Sequence, residues 1–272
     1  MKNLNVLITG ASGGIGHELA KTFAENNNNL ILIARNISKL KEIRSELLKQ
    51  NISITIIQKD LTEPGAAYDI YEEMSRRKIR IHVLVNCAGV GVYGDSLECT
   101  IQQKSQMLKI NIDTLTNLTH LFAKDMVDDK FGRILNIGSI SSVMPTPFMS
   151  LYAATKAYVL SFSEALNSEL IRKGDIAVTT LCPGFTKTNF ITEANLGHME
   201  TLLNRIALSP SVVAKQGYNA LKKKKSVKVV GRLNTLMLIM IRILPRNWVQ
   251  SLAFHLLRDH SKLKSNPQQN PD

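Results

Sequence analysis

The stretch Leu4-Asn5-Val6-Leu7-Ile8-Thr9-Gly10-Ala11-Ser12-Gly13-Gly14-Ile15-Gly16 decides how the rest of the chain is read. Residues 4–8 form a short apolar run, glycines crowd the segment up to Gly16, and residues 17–26 have helical composition. That order spells a strand turning sharply into a helix. Glycines let the backbone turn tightly and approach a pyrophosphate, whose charge then sits over the free N–H groups of the helix start. A glycine turn can also be purely structural. The GxxxGxG spacing at the head of a strand–helix series favours dinucleotide binding, with Gly10, Gly14 and Gly16 at the phosphates.

Outward from this turn the alternation continues. Asn29 to Ala34 reads as a strand ending at Ala34-Arg35-Asn36. In dinucleotide folds this strand end meets the adenine ribose, where an acid suits a 2′-hydroxyl and an arginine suits a 2′-phosphate. Arg35 without an acid therefore favours NADP over NAD, with Ser12 as a second phosphate contact; otherwise Arg35 caps the sheet edge in solvent. Ile37 to Lys49 reads as an amphipathic helix and Ser53 to Gln58 as a β-branched strand, followed by the turn Asp60-Leu61. Asp60 either contacts the adenine or caps the helix after Glu63 and Pro64. Ile81 to Val85 is a strand closed by Asn86-Cys87-Ala88-Gly89, small residues over which a cofactor can pass. Ile101 to Lys124 is helical, with Asn111 as a polar interruption that invites a bend. Phe131 to Ile137 is a strand delivering Ser139, Tyr152 to Ile171 a helix, and Ile176 to Leu181 a strand before Cys182-Pro183-Gly184-Phe185-Thr186-Lys187-Thr188.

Short β-rich runs alternating with longer helices give an α/β fold, a doubly wound parallel sheet of Rossmann type. Ligands bind such sheets beyond the carboxyl ends of the strands, where Gly10, Arg35, Asn86 and Ser139 all fall. One domain over residues 1–231 is expected, followed by a basic, amphipathic helical extension and polar tail over 232–272.

Tyr152 and Lys156 stand four apart, about one helical turn, so the phenol and the ammonium share a face. A phenol is a poor acid–base catalyst near neutrality, and a lysine beside it is expected to draw its pKa down and make it a usable proton donor. YxxxK also arises by chance, as an exposed tyrosine and a solvated lysine. Its place in the same chain as the glycine turn, with Ser139 upstream, favours the catalytic reading.

The 272 residues carry a net charge of +12, and the segment from Lys215 to Asp272 holds +10 of it, twelve basic residues against Asp259 and Asp272. A basic final quarter on a nearly neutral remainder points to a local anionic partner rather than to nucleic acid. Cys87, Cys99 and Cys182 are odd in number and lack a CxxC spacing, so neither a disulfide framework nor a zinc site is suggested. No histidine pair has ligand spacing, and no metal is expected. Residues 1–3 run into the first strand without the regions of a secretory signal, so a cytoplasmic chain is expected, with membrane-peripheral placement as the variant.

Together these residues resemble the short-chain dehydrogenase/reductase family from Leu4 through about Val230. The match comprises TGxxxGxG as Thr9, Gly10, Gly14 and Gly16; NNAG as Asn86-Cys87-Ala88-Gly89, with Cys87 replacing the second asparagine; and PGxxxT as Pro183, Gly184 and Thr188. It also includes the tetrad Asn111, Ser139, Tyr152 and Lys156. The C-terminal portion looks like bacterial members of the group called DltE-like. The resemblance implies an NADPH-dependent oxidoreductase working on a carbonyl or its alcohol. It further implies a cofactor held by Gly10, Ser12, Gly14, Ile15, Gly16, Arg35, Asp60, Leu61, Asn86, Ala88, Gly89, Tyr152, Lys156, Pro183, Gly184 and Thr188. Ser139 and Tyr152 would bond the carbonyl oxygen and Tyr152 would give the proton. Lys156 would hold the nicotinamide ribose, and Asn111 would position a water leading from Lys156 to solvent.

The segments facing a substrate offer Val143, Met144, Phe148, Met149, Phe185, Phe190, Ile191 and Met199, which suits a lipophilic aldehyde or ketone. Leu233 to Leu244 and Trp248 to Leu257 are apolar runs too short to span a bilayer. With Lys222 to Lys225, Arg232, Arg242, Arg246 and Arg258 taken as neighbours, they either lie on an anionic membrane or form a lid or oligomer contact. The expected partners are a small carbonyl substrate and further copies of the chain, as a dimer or tetramer, and no nucleic acid. The competing functions are a 3-oxoacyl-[acyl-carrier-protein] reductase, whose basic patch would receive an acidic carrier, and a non-catalytic NADP-sensing module.

Overall fold

The computed structural model describes residues 1–48, 51–197 and 206–258, apart from the Arg242 side chain. Met199 and the polar tail therefore lie outside the described residues, as does the helix end expected at Lys49. The elements run β1 (Asn5–Thr9), α1 (Gly14–Glu25), β2 (Asn29–Ala34), α2 (Ile37–Leu47), β3 (Ile54–Gln58), α3 (Ala66–Arg76), β4 (Val83–Asn86) and α4 (Ile101–Leu108). They continue with α5 (Leu115–Asp128), β5 (Phe131–Ile137), α6 (Ser150–Leu170), β6 (Asp175–Cys182), α7 (Phe190–Glu193), α8 (Pro210–Lys222), β7 (Val227–Val229), α9 (Arg232–Ile243) and α10 (Arg246–Leu257).

The described residues form one seven-stranded, wholly parallel sheet in the order β3-β2-β1-β4-β5-β6-β7. The direction of winding reverses between β1 and β4, which opens a crevice at their carboxyl ends. Alternate strand residues serve opposite faces. Val6, Ile8, Leu30 and Leu32 pack with Leu19 and Phe23 of α1, Leu40 and Ile43 of α2, and Val213 and Tyr218 of α8. Leu7, Ile31 and Ile33 pack with Ile70 and Met74 of α3, Leu118 and Phe122 of α5, and Leu170 of α6. Each fully buried side chain of this size contributes about 1.5–3 kcal/mol. A sheet covered on both sides in this way reads as continuous apolar runs in sequence.

Two features depart from the reading above. The long helix around Asn111 is two helices joined by a π-helical segment, Lys109–Thr114, with Asn111 buried at its centre. Val227–Val229 adds a seventh strand that the flanking lysines disguise. This strand also corrects the placement of Lys222–Lys225. Lys224 Nζ pairs with Asp175 Oδ1 at 2.5 Å, and Asp175 begins β6. Because every strand is parallel, the basic run stands at the amino-terminal edge of the sheet, across the molecule from α9 and α10.

Candidate active site

The glycine turn is shaped by close backbone approach. Gly10 has φ +66°, and a Cβ there would lie 2.8 Å from Ala88 Cα. At Gly16 a Cβ would run into the carbonyl of Gly10. The two residues pin α1 and the β4 turn against β1, and only glycine permits it. Thr9 Oγ1 locks the same junction by accepting from the amides of Cys87 and Ala88, both at 3.1 Å. Helix α1 starts behind Gly13 with no side-chain cap, so its first-turn N–H groups, with the positive end of the helix dipole, face the crevice. Thr188 closes the other side, where a Cβ on Gly14 would come 2.9 Å from Thr188 Cγ2.

Beyond the turn lies a cavity of about 900 Å³. Gly10, Ser12, Gly14, Ile15, Gly16, Arg35, Asp60, Leu61, Ala88, Gly89, Pro183, Gly184 and Thr188 line one end of it, and Ser139, Tyr152 and Lys156 line its middle. Asp60 does not cap the helix after Pro64, whose N-cap is Gly65. Its Oδ1 instead accepts from the Thr62 amide at 2.9 Å and the Thr62 hydroxyl at 2.8 Å. The Thr62 amide holds the Asp60 carboxyl below its usual range, with burial opposing it and the nearby Arg35 and Lys59 charges assisting. Arg35 itself is exposed at the strand end.

Asn86 is the member of the expected cofactor set whose side chain is turned away. Its Nδ2 donates to Thr119 Oγ1 at 3.0 Å and to Asn136 Oδ1 at 2.9 Å, within the sheet interior. Residue 86 falls two after Leu84, so strand alternation sends both toward the α5 face.

Tyr152, Ser139, Lys156 and Asn111 come together from three elements. Strand β5 ends at Ile137, and Ser139 caps the short turn after it, its Oγ accepting from the Ser141 amide at 3.1 Å. Helix α6 begins at Ser150 and carries Tyr152 in its first turn and Lys156 one turn later. Lys156 Nζ donates to the Ile137 carbonyl at 2.8 Å and stands 5.7 Å from the centre of the Tyr152 ring. Burial pushes the Tyr152 phenol up to about 12, opposed by its hydrogen bond with Ser139. Burial likewise pulls Lys156 down to about 8. The expected draw of the lysine on the phenol does not appear: desolvation, which disfavours the charged form of each group, dominates both. The phenol holds its proton firmly across the neutral range.

Asn111 is used as a clamp. Its Oδ1 accepts from the Val90 amide at 3.0 Å, and its Nδ2 donates to the Val90 carbonyl at 2.9 Å and to Thr155 Oγ1 at 3.0 Å. The π turn supplies the extra residue that points this amide between the β4 turn and α6. Gly89 leaves room between them: a Cβ there would lie 3.3 Å from Lys156 Nζ and 3.4 Å from Asn111 Oδ1.

The far end of the cavity is apolar. Of the residues expected to face a substrate, Met144, Met149, Phe185, Phe190 and Ile191 line it. Phe148 does not; it packs between Tyr93 and Phe254, ring centres 5.7 and 5.2 Å away. Val143 is not in the lining either. A further wall is the helix pair α9 and α10, which the sequence left open between a membrane face and a lid or oligomer contact. Asn234, Met237 and Ile241 of α9 and Val249, Ala253 and Leu257 of α10 face inward. Their spacings, i, i+3, i+7 and i, i+4, i+8, were the available signal. Asn234 ties α9 to the Val230 carbonyl at 2.7 Å, and its amide lies against Gly184. Tyr93 donates to the Leu257 carbonyl and fastens the end of α10.

The family model for short chain dehydrogenase matches residues 4–198. Dehydrogenase/reductase SDR family member 7B of Rattus norvegicus is 28% identical over 280 residues, covering 97% of this chain and 85% of that one. A short-chain dehydrogenase from Sphingobium yanoikuyae, solved in complex with NADPH, superposes with a TM-score of 0.79 at 27% identity, covering 99% of this chain and 98% of the other. The bulky-bulky ketone specific alcohol dehydrogenase from Comamonas testosteroni superposes with a TM-score of 0.75 at 26% identity, covering 100% and 98%.

Proposed function

The chain belongs to the short-chain dehydrogenase family, and on that premise we propose that it uses NADPH to reduce an apolar aldehyde or ketone, with the reverse alcohol oxidation open to the same site. The observation that carries this reading is the single cavity that joins the glycine turn and Arg35 to Ser139 and Tyr152 and then to a wall of apolar side chains.

The residues present fit a dinucleotide. The positive-φ glycines make a cradle that a Cβ would fill, and the uncapped start of α1 offers N–H groups and a positive dipole end to a pyrophosphate. Arg35, exposed at the end of β2, suits a 2′-phosphate. When bound, the cofactor supplies the hydride. Ser139 and Tyr152 donate hydrogen bonds to the carbonyl oxygen as it gains negative charge, and Tyr152 passes its proton to that oxygen. A phenol pushed up to about 12 is protonated before the step, as a donor must be. Lys156, fixed by the Ile137 carbonyl, places positive charge where the phenolate forms, and Asn111 holds the β4 turn and α6 in register.

A carrier-linked 3-oxoacyl substrate is less well supported, because a carrier held by Lys222–Lys225 would sit at the sheet edge opposite the cavity mouth. The test is NADPH oxidation, with NADH in parallel, against aldehydes and ketones of increasing chain length. Turnover should rise with chain length and fall about 10²- to 10⁴-fold in Tyr152→Phe, while NADPH binding persists. Reduction of carrier-linked esters but of no free carbonyl would replace this reading with the carrier-dependent one, and NADPH binding without reduction of either would leave a nucleotide sensor.

A further inference from the structure

We propose that α9 and α10 dock the cavity mouth onto an anionic lipid bilayer, so that substrate enters from the membrane. The proposal rests on the reading of the cavity as the binding site of an apolar substrate and names where that substrate is held.

Helix α9 is apolar except at Arg232, Asn234, Thr235 and Arg242. Met237, Leu238 and Ile241 face the protein, while Leu233 (84% exposed), Leu236 (59%) and Ile243 (75%) are left largely uncovered by the described residues. Large apolar side chains left uncovered side by side mark a surface that meets a partner or a membrane. In α10, Val249, Ala253 and Leu257 are buried one turn apart, and Trp248 (68% exposed), Leu252 and Leu256 form a second stripe. This second stripe, with Met240 of α9 and Leu244 just after it, both lines the cavity and is open to the outside. The exposed apolar surface is therefore continuous with the cavity wall, and the mouth itself is apolar.

At 12 residues each, the helices are about 18 Å long, short of the roughly 30 Å of a bilayer core. None of the described helices is long and apolar enough to cross a membrane. Helices of this kind lie in the interface with their apolar side down, and tryptophan favours that depth.

Charge selects the occupant. From residue 206 to residue 258 the sequence contains no Asp or Glu. Arg232 and Arg246 are exposed at the helix starts, and Arg258, at the end of α10, rests over the Phe254 ring. A second copy meeting this face about a twofold axis would set these cations against their own counterparts with no acid in the segment to offset them. Anionic headgroups offer the complementary sign, and the lysine run at the far sheet edge plays no part.

Trp248 is the only tryptophan in the chain, so its fluorescence reports this surface alone. The experiment follows Trp248 emission of the full chain with phosphatidylcholine vesicles, with and without phosphatidylglycerol, using brominated lipid as quencher. The expected result is a blue shift and bromolipid quenching on phosphatidylglycerol vesicles, with affinity falling about tenfold or more on neutral vesicles or in high salt. The combined variant Leu233→Ser, Leu236→Ser and Ile243→Ser, which changes no cavity-lining residue, should abolish both signals while keeping its circular dichroism and NADPH binding. No shift with phosphatidylglycerol, equal binding of the variant, or a dimer that the variant splits without lipid binding would overturn the proposal. Vesicle binding requires no turnover, so a failure of the reductase reading would appear separately, as docking without carbonyl reduction.

Discussion

At the glycine turn a methyl group on Gly10 would meet Ala88 at 2.8 Å and one on Gly16 would strike the Gly10 carbonyl, whereas on the helices that wall the other end of the same cavity Leu233, Ile243 and Trp248 have most of their surface uncovered. The first region is built on strand ends, with backbone against backbone, and tolerates only one residue type at its contacts. The second is a helix pair outside the sheet, whose inward positions need only be apolar and of suitable size. On the proposed function, chemistry common to many substrates sits where the fold dictates the residue, and selection of a particular substrate sits where it does not.

The sharpest way to break this contrast is Gly16→Ala. Relief of the collision requires α1 to move off β1, and the N–H groups that face the crevice move with it. We expect dinucleotide affinity to fall on the order of a hundredfold, from strain of a few kcal/mol, as read by NADPH titration. Retained affinity would mean that the turn is as forgiving as the far wall.

Arg35→Ser probes the border of the constrained region, because the side chain is exposed and only its position at the end of β2 is fixed. Loss of a charged hydrogen-bonding partner costs about 1.5–3 kcal/mol, so preference for NADPH over NADH should fall about 10- to 100-fold, with NADH affinity unchanged. Measurement of kcat/KM for both nucleotides decides it.

The difference between the two regions also explains what the sequence made legible. Thr9 to Gly16, Ala88-Gly89, Ser139, Tyr152 and Lys156 were readable because steric and chemical demands allow few substitutes, and because strand–helix alternation places them at one sheet edge. Asn86 belonged to the same motif, yet its side chain points into the interior: the pattern locates the backbone, and strand parity settles the direction. The two valines of β7 were hidden among lysines, and without that strand the basic run could not be placed at the amino-terminal edge. The lining role of α9 and α10 was hidden for a different reason. Both helices carry apolar residues on more than one face, so spacing alone does not say which stripe faces in, and tethers such as Asn234 to Val230 and Tyr93 to Leu257 decide it.

Titration separates the two ends of the cavity further, since Tyr152 and Lys156 are both buried at the Ser139 end. With Lys156 pulled down to about 8, reduction should decline above about pH 8 as the lysine loses its charge, equally for short and long substrates. Folding stability responds with the opposite sign. Between about pH 8 and its ordinary 10.5 the unfolded chain binds this proton and the folded chain does not, so the lysine's contribution to stability rises with pH across that window and is lost as pH falls through 8. The gap in thermal midpoint between the wild type and Lys156→Met should widen in the wild type's favour from pH 8 to 10; a constant gap would show that burial does not shift this lysine.

The smallest expected effect belongs to the forgiving wall. Leu252 lines the mouth but is more than half exposed, so truncating it removes only part of a side chain's worth of contact with a bound chain. At about 0.8 kcal/mol per buried methylene, Leu252→Ala should lower kcat/KM about three- to tenfold for long-chain carbonyls that reach the mouth and leave the shortest unchanged. That dependence on length is what distinguishes a wall that touches substrate from one that merely covers the site. If short and long carbonyls lose equally, α10 supports the catalytic end instead, and the boundary between the two regions lies farther out than the cavity lining places it.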